Sequence, residues 1–140
     1  MAPDAGQGTA HQGRFELDIT PIIPADRQVI DGYGEGQICV ASEWRTGPHL
    51  VFPGFTIPWT ATSFAELTLE HFQPVLEAEP KVELLLIGAG RSSQLMPKDM
   101  RAALRAAGLV VEVMDTGGAC RTYNVLLSEG RSIAAALFPV

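Results

Sequence analysis

Between Val82 and Phe138 the chain changes hydrophobic period four times, and this alternation restricts its fold more than any other feature. Val82 to Ile87 is a compact apolar run bracketed by Pro80 and Gly88. Pro97 and Gly108 then bound a stretch in which Met100, Ala103, Leu104 and Ala107 recur at helical spacing, with proline suited to the first turn and glycine to the C-terminal cap. Val110 to Met114 is rich in β-formers. Asp115 or Thr116 caps a second helix, which runs to about Glu129 with Gly130 as its stop. Ser132 to Phe138 is the last strand. Strand, helix, strand, helix, strand is a βαβ arrangement, which predicts right-handed crossovers and parallel strands that are central and buried.

The first half reads differently. Val29-Ile30, Ile38-Cys39-Val40, Leu50-Val51-Phe52 and Phe55 to Trp59 read as short strands, with Asp31-Gly32-Tyr33-Gly34 and Pro53-Gly54 as turns. Pro48, Pro53 and Pro58 each lack a ladder donor, which assigns parts of these strands to edges or ends. Thr68 caps a helix carrying Leu69, Phe72, Val75 and Leu76, and Pro74 kinks or shortens it. An antiparallel meander feeding a βαβ half predicts a three-layer α/β domain with a mixed sheet, a single unit over residues 14–140. Met1 to Gly13 is small, polar and aperiodic, and reads as a disordered tail.

Composition narrows the function classes. The 140 residues, 46% of them hydrophobic, suffice to bury a core without staples. A formal net charge of −6 gives no bulk attraction to nucleic acid or anionic lipid, and no aromatic–basic RNA-reading motif occurs. The longest strongly apolar run, Leu84 to Ile87, falls far short of the roughly 20 residues of a spanning helix. Met1 to Gly13 lacks the basic and apolar regions of a secretory signal, so a cytoplasmic location is expected. Cys39 and Cys120 form no Cys-x-x-Cys pair and predict no disulfide. His11, His49 and His71 share no ligand spacing, which predicts no metal and no cofactor.

Two loops carry the candidate chemistry. Gly88-Ala89-Gly90-Arg91-Ser92-Ser93 follows a strand, but Ser93 replaces the third glycine of a dinucleotide turn and the helix starts only near Pro97. It reads as a tight turn. Asp115-Thr116-Gly117-Gly118 opens a helix whose first amides lack intrahelical partners, and two glycines allow close approach. Both loops belong at the carboxyl end of the strands and could share a crevice for a small anion, formed by Gly88, Gly90, Arg91, Ser92, Asp115, Thr116, Gly117, Gly118, Cys120 and Arg121. Alternatively, Asp115 caps the helix with its own carboxylate. The helix dipole lowers the pKa of a thiol at Cys120. Helical geometry instead sets Cys120 on a buried stripe with Ala119, Tyr123, Leu126 and Leu127, opposite Arg121, Asn124 and Ser128, which favours a structural cysteine. Lys98, Arg101 and Arg105 form a basic stripe, either a solvated face or a contact for an acidic partner. No Gly-x-Ser-x-Gly elbow organises the serines and histidines into a triad.

Longer runs add a resemblance. Glu112-Val113-Met114-Asp115-Thr116, Ala119-Cys120-Arg121-Thr122-Tyr123-Asn124, Glu129-Gly130-Arg131 and Ala134-Ala135-Ala136-Leu137 form one signature. Ile30-Asp31-Gly32-Tyr33-Gly34, Pro58-Trp59 and Val82-Glu83-Leu84-Leu85-Leu86-Ile87-Gly88 precede it in matching order. Together, from Phe15 to Val140, they resemble the small family of uncharacterised bacterial and archaeal proteins related to mitochondrial complex I assembly factor three. The resemblance implies a central mixed β-sheet with helices packed on it and an additional N-terminal β layer. In mitochondria such proteins help assemble the NADH–ubiquinone oxidoreductase with a partner protein. The resemblance carries no catalytic residue over to this chain.

The expectation is therefore a non-enzymatic accessory protein acting through protein contacts. The resemblance implies respiratory-complex subunits or assembly factors as partners, and a cytoplasmic protein peripheral to the inner membrane through one of them. Its contact surface is expected as an apolar or mixed patch on the β-rich half or beside the last helix, or as the stripe Lys98, Arg101 and Arg105. The alternative is a small-molecule binder or enzyme at the crevice. Arg91 and Arg121 would hold an anion, Thr116 to Gly118 would supply amides, and Asp115 or Cys120 would carry proton or thiol chemistry.

Overall fold

Apolar side chains on both faces of a strand require a layer on each side, and that requirement organises the molecule. The computed structural model describes Arg14–Glu16 and residues 26–140, so the tail read at Met1 to Gly13 lies outside the described residues. The strands β1 (Arg14–Glu16), β2 (Ile30–Gly34), β3 (Gln37–Val40) and β4 (Glu43–Thr46) form an antiparallel meander. The second sheet holds β5 (His49–Val51), β6 (Thr56–Pro58), β7 (Leu84–Gly88), β8 (Val110–Met114) and β9 (Ile133–Leu137) in the order β6-β5-β9-β7-β8. In it β7 is parallel to β8 and β9, while β5 is antiparallel to β6 and β9, so the sheet is mixed.

Alternation along the strands splits the core in two. Leu50, Leu85, Ile87, Ala134 and Ala136 face one way, against Leu104 of α2 (Lys98–Ala106), Val75 of α1 (Gln73–Leu76) and Phe64, Leu67 and Phe72 of the intervening turns. Val51, Leu86, Ile133, Ala135 and Leu137 face the other way, against Ala119, Cys120, Tyr123 and Leu127 of α3 (Thr116–Ser128). Ile30, Ile38 and Val40 of the meander close this second core. The result is the three-layer α/β arrangement with an additional N-terminal β layer.

Local chemistry sets several boundaries where the sequence placed them. Gly108 and Gly130, at φ +92° and +72°, follow the C-caps of α2 and α3. L-residues with a Cβ rarely adopt that conformation. Asp115 caps α3, and its carboxylate accepts from the Gly118 amide at 3.1 Å. Pro74 falls in the first turn of α1 and divides the segment into a 3-10 turn (Leu69–Phe72) and a short helix.

Three expectations are corrected. Asp31-Gly32-Tyr33-Gly34 is strand, not turn; the reversal falls one step later, at Glu35 and Gly36, both at positive φ. Glu43–Thr46 is a strand that sequence reading missed. It follows a second tight turn, with Ala41 at φ +50° and Ser42 at +68°. Neither residue favours that conformation, but Asp31, bulged out of β2, accepts the Ser42 amide at 2.6 Å and holds it. Finally, β8 lies at the edge of its sheet rather than in the centre, leaving Val110 39% exposed.

Candidate functional site

The two glycine loops meet at the carboxyl ends of β7 and β8, and they are joined directly. Thr116 donates its amide to the Gly90 carbonyl at 2.8 Å, and its hydroxyl accepts from the Gly90 amide at 3.0 Å. The same hydroxyl donates to the Phe138 carbonyl at 2.6 Å. Ala89 donates to Met114 and Phe138 to Gly88, both backbone to backbone. Gly88 itself has no room for a side chain: a Cβ there would stand 2.9 Å from Thr116 Cα and 3.0 Å from a Leu137 methyl.

At the start of α3 the group that approaches the glycines is the protein's own. A Cβ at Gly117 would overlap the Tyr33 hydroxyl from the meander, and one at Gly118 would lie 2.9 Å from Asp115 Oδ1. The amides of Thr116, Gly118 and Gly90 are taken within the chain. Arg91, Ser92 and Arg121 are exposed around this end.

Cys120 is fully buried, and burial pushes its thiol up to about 12, against smaller opposing pull from Arg121 and a small push from Asp115. Desolvation thus overrides the dipole argument, and this thiol stays protonated at neutral pH. Cys39 is also a buried free thiol. Burial likewise raises the Tyr123 phenol, whose hydroxyl donates to the Gln28 carbonyl at 2.9 Å. Asn124, placed by helical spacing on the outer side, is in fact buried. Its amide accepts from Ile30 N at 3.0 Å and donates to Ile30 O at 2.8 Å.

The basic stripe divides. Arg101 is half-buried and donates to the Val111 carbonyl at 2.6 Å, tying α2 to the edge strand, whereas Lys98 and Arg105 are exposed. Among the described residues, no group of three His, Cys, Asp or Glu is gathered as metal ligands, and no helix is long and apolar enough to cross a membrane.

Two clefts lie elsewhere, and sequence reading missed both. One, about 440 Å³, opens at the amino ends of β7 and β9, between the Phe52–Phe55 segment, the Ala78–Val82 segment and the end of α3. The other, about 260 Å³, lies beside α2 and is lined by Phe64, Leu67, Met96 and Met100. Leu95 at its edge is 95% exposed, the barest large apolar side chain among the described residues. Beside α3 and on the β-rich half, where an apolar patch was expected, Val125 and Phe55 are also exposed. Each cleft is assembled from segments distant in the chain, which periodicity cannot bring together.

Comparison with known proteins places these observations. Over 111 residues the chain is 37% identical to NADH dehydrogenase [ubiquinone] 1 alpha subcomplex assembly factor 3 of Bos taurus, covering 79% of this chain. It spans only 60% of that relative's length. An uncharacterised protein of Rhodobacter capsulatus is also 37% identical, over 79% of this chain and 84% of its own. The crystal structure of a Bordetella parapertussis protein superposes with a TM-score of 0.75 at 33% identity, covering 81% of this chain and 97% of that one. The family model described as "protein of unknown function (DUF498/DUF598)" matches residues 30–138, from β2 through the end of β9. The chain belongs to the DUF498/DUF598 family.

Proposed function

We propose that this protein is a non-enzymatic accessory factor that acts through protein contacts in the assembly of a respiratory NADH-oxidising complex. The observation that carries the reading is the 37% identity to a named assembly factor over 79% of the chain. The groups with reactive potential are used internally: Cys120 in the core, Asp115 as a cap and Thr116 as a cross-tie. The contact surface fits the α2 side, where Leu95, Met96 and Met100 lie beside the exposed cation of Lys98. Methionine-lined grooves adapt to apolar partner segments, and the lysine suits an acidic rim. The protein works in the cytoplasm and reaches the inner membrane through its partner.

Deletion of the gene is expected to leave a partly built complex on native gels and to lower NADH oxidation by isolated membranes. Restoration by the intact protein but not by Leu95→Asp supports the reading and its surface. Unchanged complex levels after deletion would overturn the assembly role.

The alternative of a small anion at the sheet end rests on the exposed Arg91, Ser92 and Arg121, because the amides of Thr116, Gly118 and Gly90 are occupied. A ligand held there at about 100 times its Kd would add roughly 2.7 kcal/mol of stability, lost in Arg91→Ala. A screen of phosphorylated metabolites and carboxylates by thermal shift decides it.

A further inference from the structure

The cleft of about 440 Å³ lies at the opposite end of the central sheet from the glycine loops, and its volume falls within the roughly 300–1,000 Å³ of small-molecule sites. Its wall is apolar. Phe52 and Phe55 stack with ring centroids 4.4 Å apart, and Val82, Leu127 and Ile133 extend the surface. Phe55 leaves 41% of its area in water at the cleft's edge, an arrangement relieved when an apolar body covers it.

The rim reverses the sign of the molecule. Arg27, Lys81 and Arg131 stand there against the single carboxylate of Glu79, on a chain of formal net charge −6. The Lys81 ammonium leans over Gly108 at the end of α2, where a Cβ would come within 2.9 Å of it, so the two arginines are the cations left for a ligand. Arg131 has a loose contact with Glu129, 3.9 Å with both side chains more than half exposed, which an anion in the cleft can displace. At the end of α3, beside the cleft, the carbonyls of Val125, Leu126 and Leu127 accept from the amides of Glu129, Gly130 and Arg131, so the two arginines have only the remaining negative end of the helix dipole to offset.

We propose that this cleft binds a small apolar carboxylic acid, aryl or medium-chain acyl, with its body on Phe55 and its carboxylate on Arg27 and Arg131. A guanidinium fork matches a carboxylate, and an apolar wall selects against small hydrophilic anions. The site is separate from the α2 surface and does not depend on the assembly role.

Octanoate titrated into the full chain, followed by amide shifts at Gly54, Gly130 and Ser132, tests it. The expected result is saturable binding, with octylamine and 1-octanol weaker by about tenfold or more. Arg27→Ala and Arg131→Ala, both at exposed positions, should each weaken octanoate roughly tenfold and leave octanol unchanged. Phe55→Ala should weaken acid and alcohol alike. Three results would overturn the proposal: no shift at these amides with millimolar octanoate, equal affinity for octylamine, or arginine variants that bind octanoate as the parent does.

Discussion

The side-chain amide of Asn124 in α3 makes both of its hydrogen bonds to the backbone of one residue, Ile30 in β2. Among the described residues the pairing of β1 with β2 reaches as far as Gly32, and two residues further on the amide of Asn124 satisfies the Ile30 backbone. With the Tyr123 hydroxyl on Gln28, two consecutive helix residues clamp the entry to the meander against α3.

Asn124→Ala is expected to destabilise the protein by about 2–4 kcal/mol, because it leaves a buried N–H and a buried C=O without partners. Asn124→Asp keeps the acceptor for Ile30 N but sets a carboxylate against Ile30 O, so its cost should grow as pH rises above about 4. Urea unfolding at several pH values measures both. A loss below about 0.5 kcal/mol for the alanine variant would show that water replaces the amide without cost.

Burial of Cys120 makes stability fall at high pH. The unfolded thiol loses its proton near 9.0 while the folded one holds it to about 12. Between those values the unfolded state binds fewer protons, so unfolding becomes more favourable by about 1.4 kcal/mol per pH unit. Tyr123 adds a loss of the same sign above its own ordinary value. Cys120→Ala should flatten the fall between pH 9 and 10 relative to its own neutral-pH stability. An unchanged slope would assign the effect to other groups.

Gly117 and Tyr33 should be coupled. Gly117→Ala gains helix propensity of roughly 1 kcal/mol but overlaps the Tyr33 hydroxyl, giving a net loss of about 1–3 kcal/mol. In a Tyr33→Phe background the same substitution should lose less, and a double-mutant cycle reads the difference. Additive effects would mean that Tyr33 moves aside freely.

Thr116→Val removes the hydroxyl that binds Gly90 and Phe138 while keeping the shape. A loss of about 2–4 kcal/mol is expected, with Thr116→Ser recovering most of it. Chemical denaturation of the three proteins is sufficient.

The basic stripe should separate by role. Arg101→Met should cost about 1–2 kcal/mol and speed amide exchange in β8, since it frees the Val111 carbonyl. Lys98→Glu and Arg105→Glu should stay within about 0.5 kcal/mol of the parent while weakening capture of an acidic partner. Undiminished capture by the double reversal would remove these two residues from the contact.

Much of the second half was legible in its residues. The limits of β8 and α3, the aspartate cap and the terminal glycines each depend on groups within about four residues of one another, the range over which helix and cap chemistry acts. The first half was less legible: glycine and aspartate in Asp31–Gly34 mark turns by composition, yet neighbouring strands on both sides hold that segment extended. At the candidate site, sequence brought the right loops to one end of the sheet. It could not tell that the Thr116 and Gly90 amides donate across to the opposite loop.

What the sequence by itself determined is the order of elements in the second half, the family and the buried stripe that holds Cys120, because period, propensity and capping are local. Only the tertiary structure decided that β8 lies at an edge, that Asn124 turns inward to a residue 94 positions away, and that Tyr33 closes over Gly117. It also gathered Arg27, Phe55 and Arg131 around one cleft. These relationships arise from packing between segments whose separation along the chain leaves no periodic trace, so no local pattern could have encoded them.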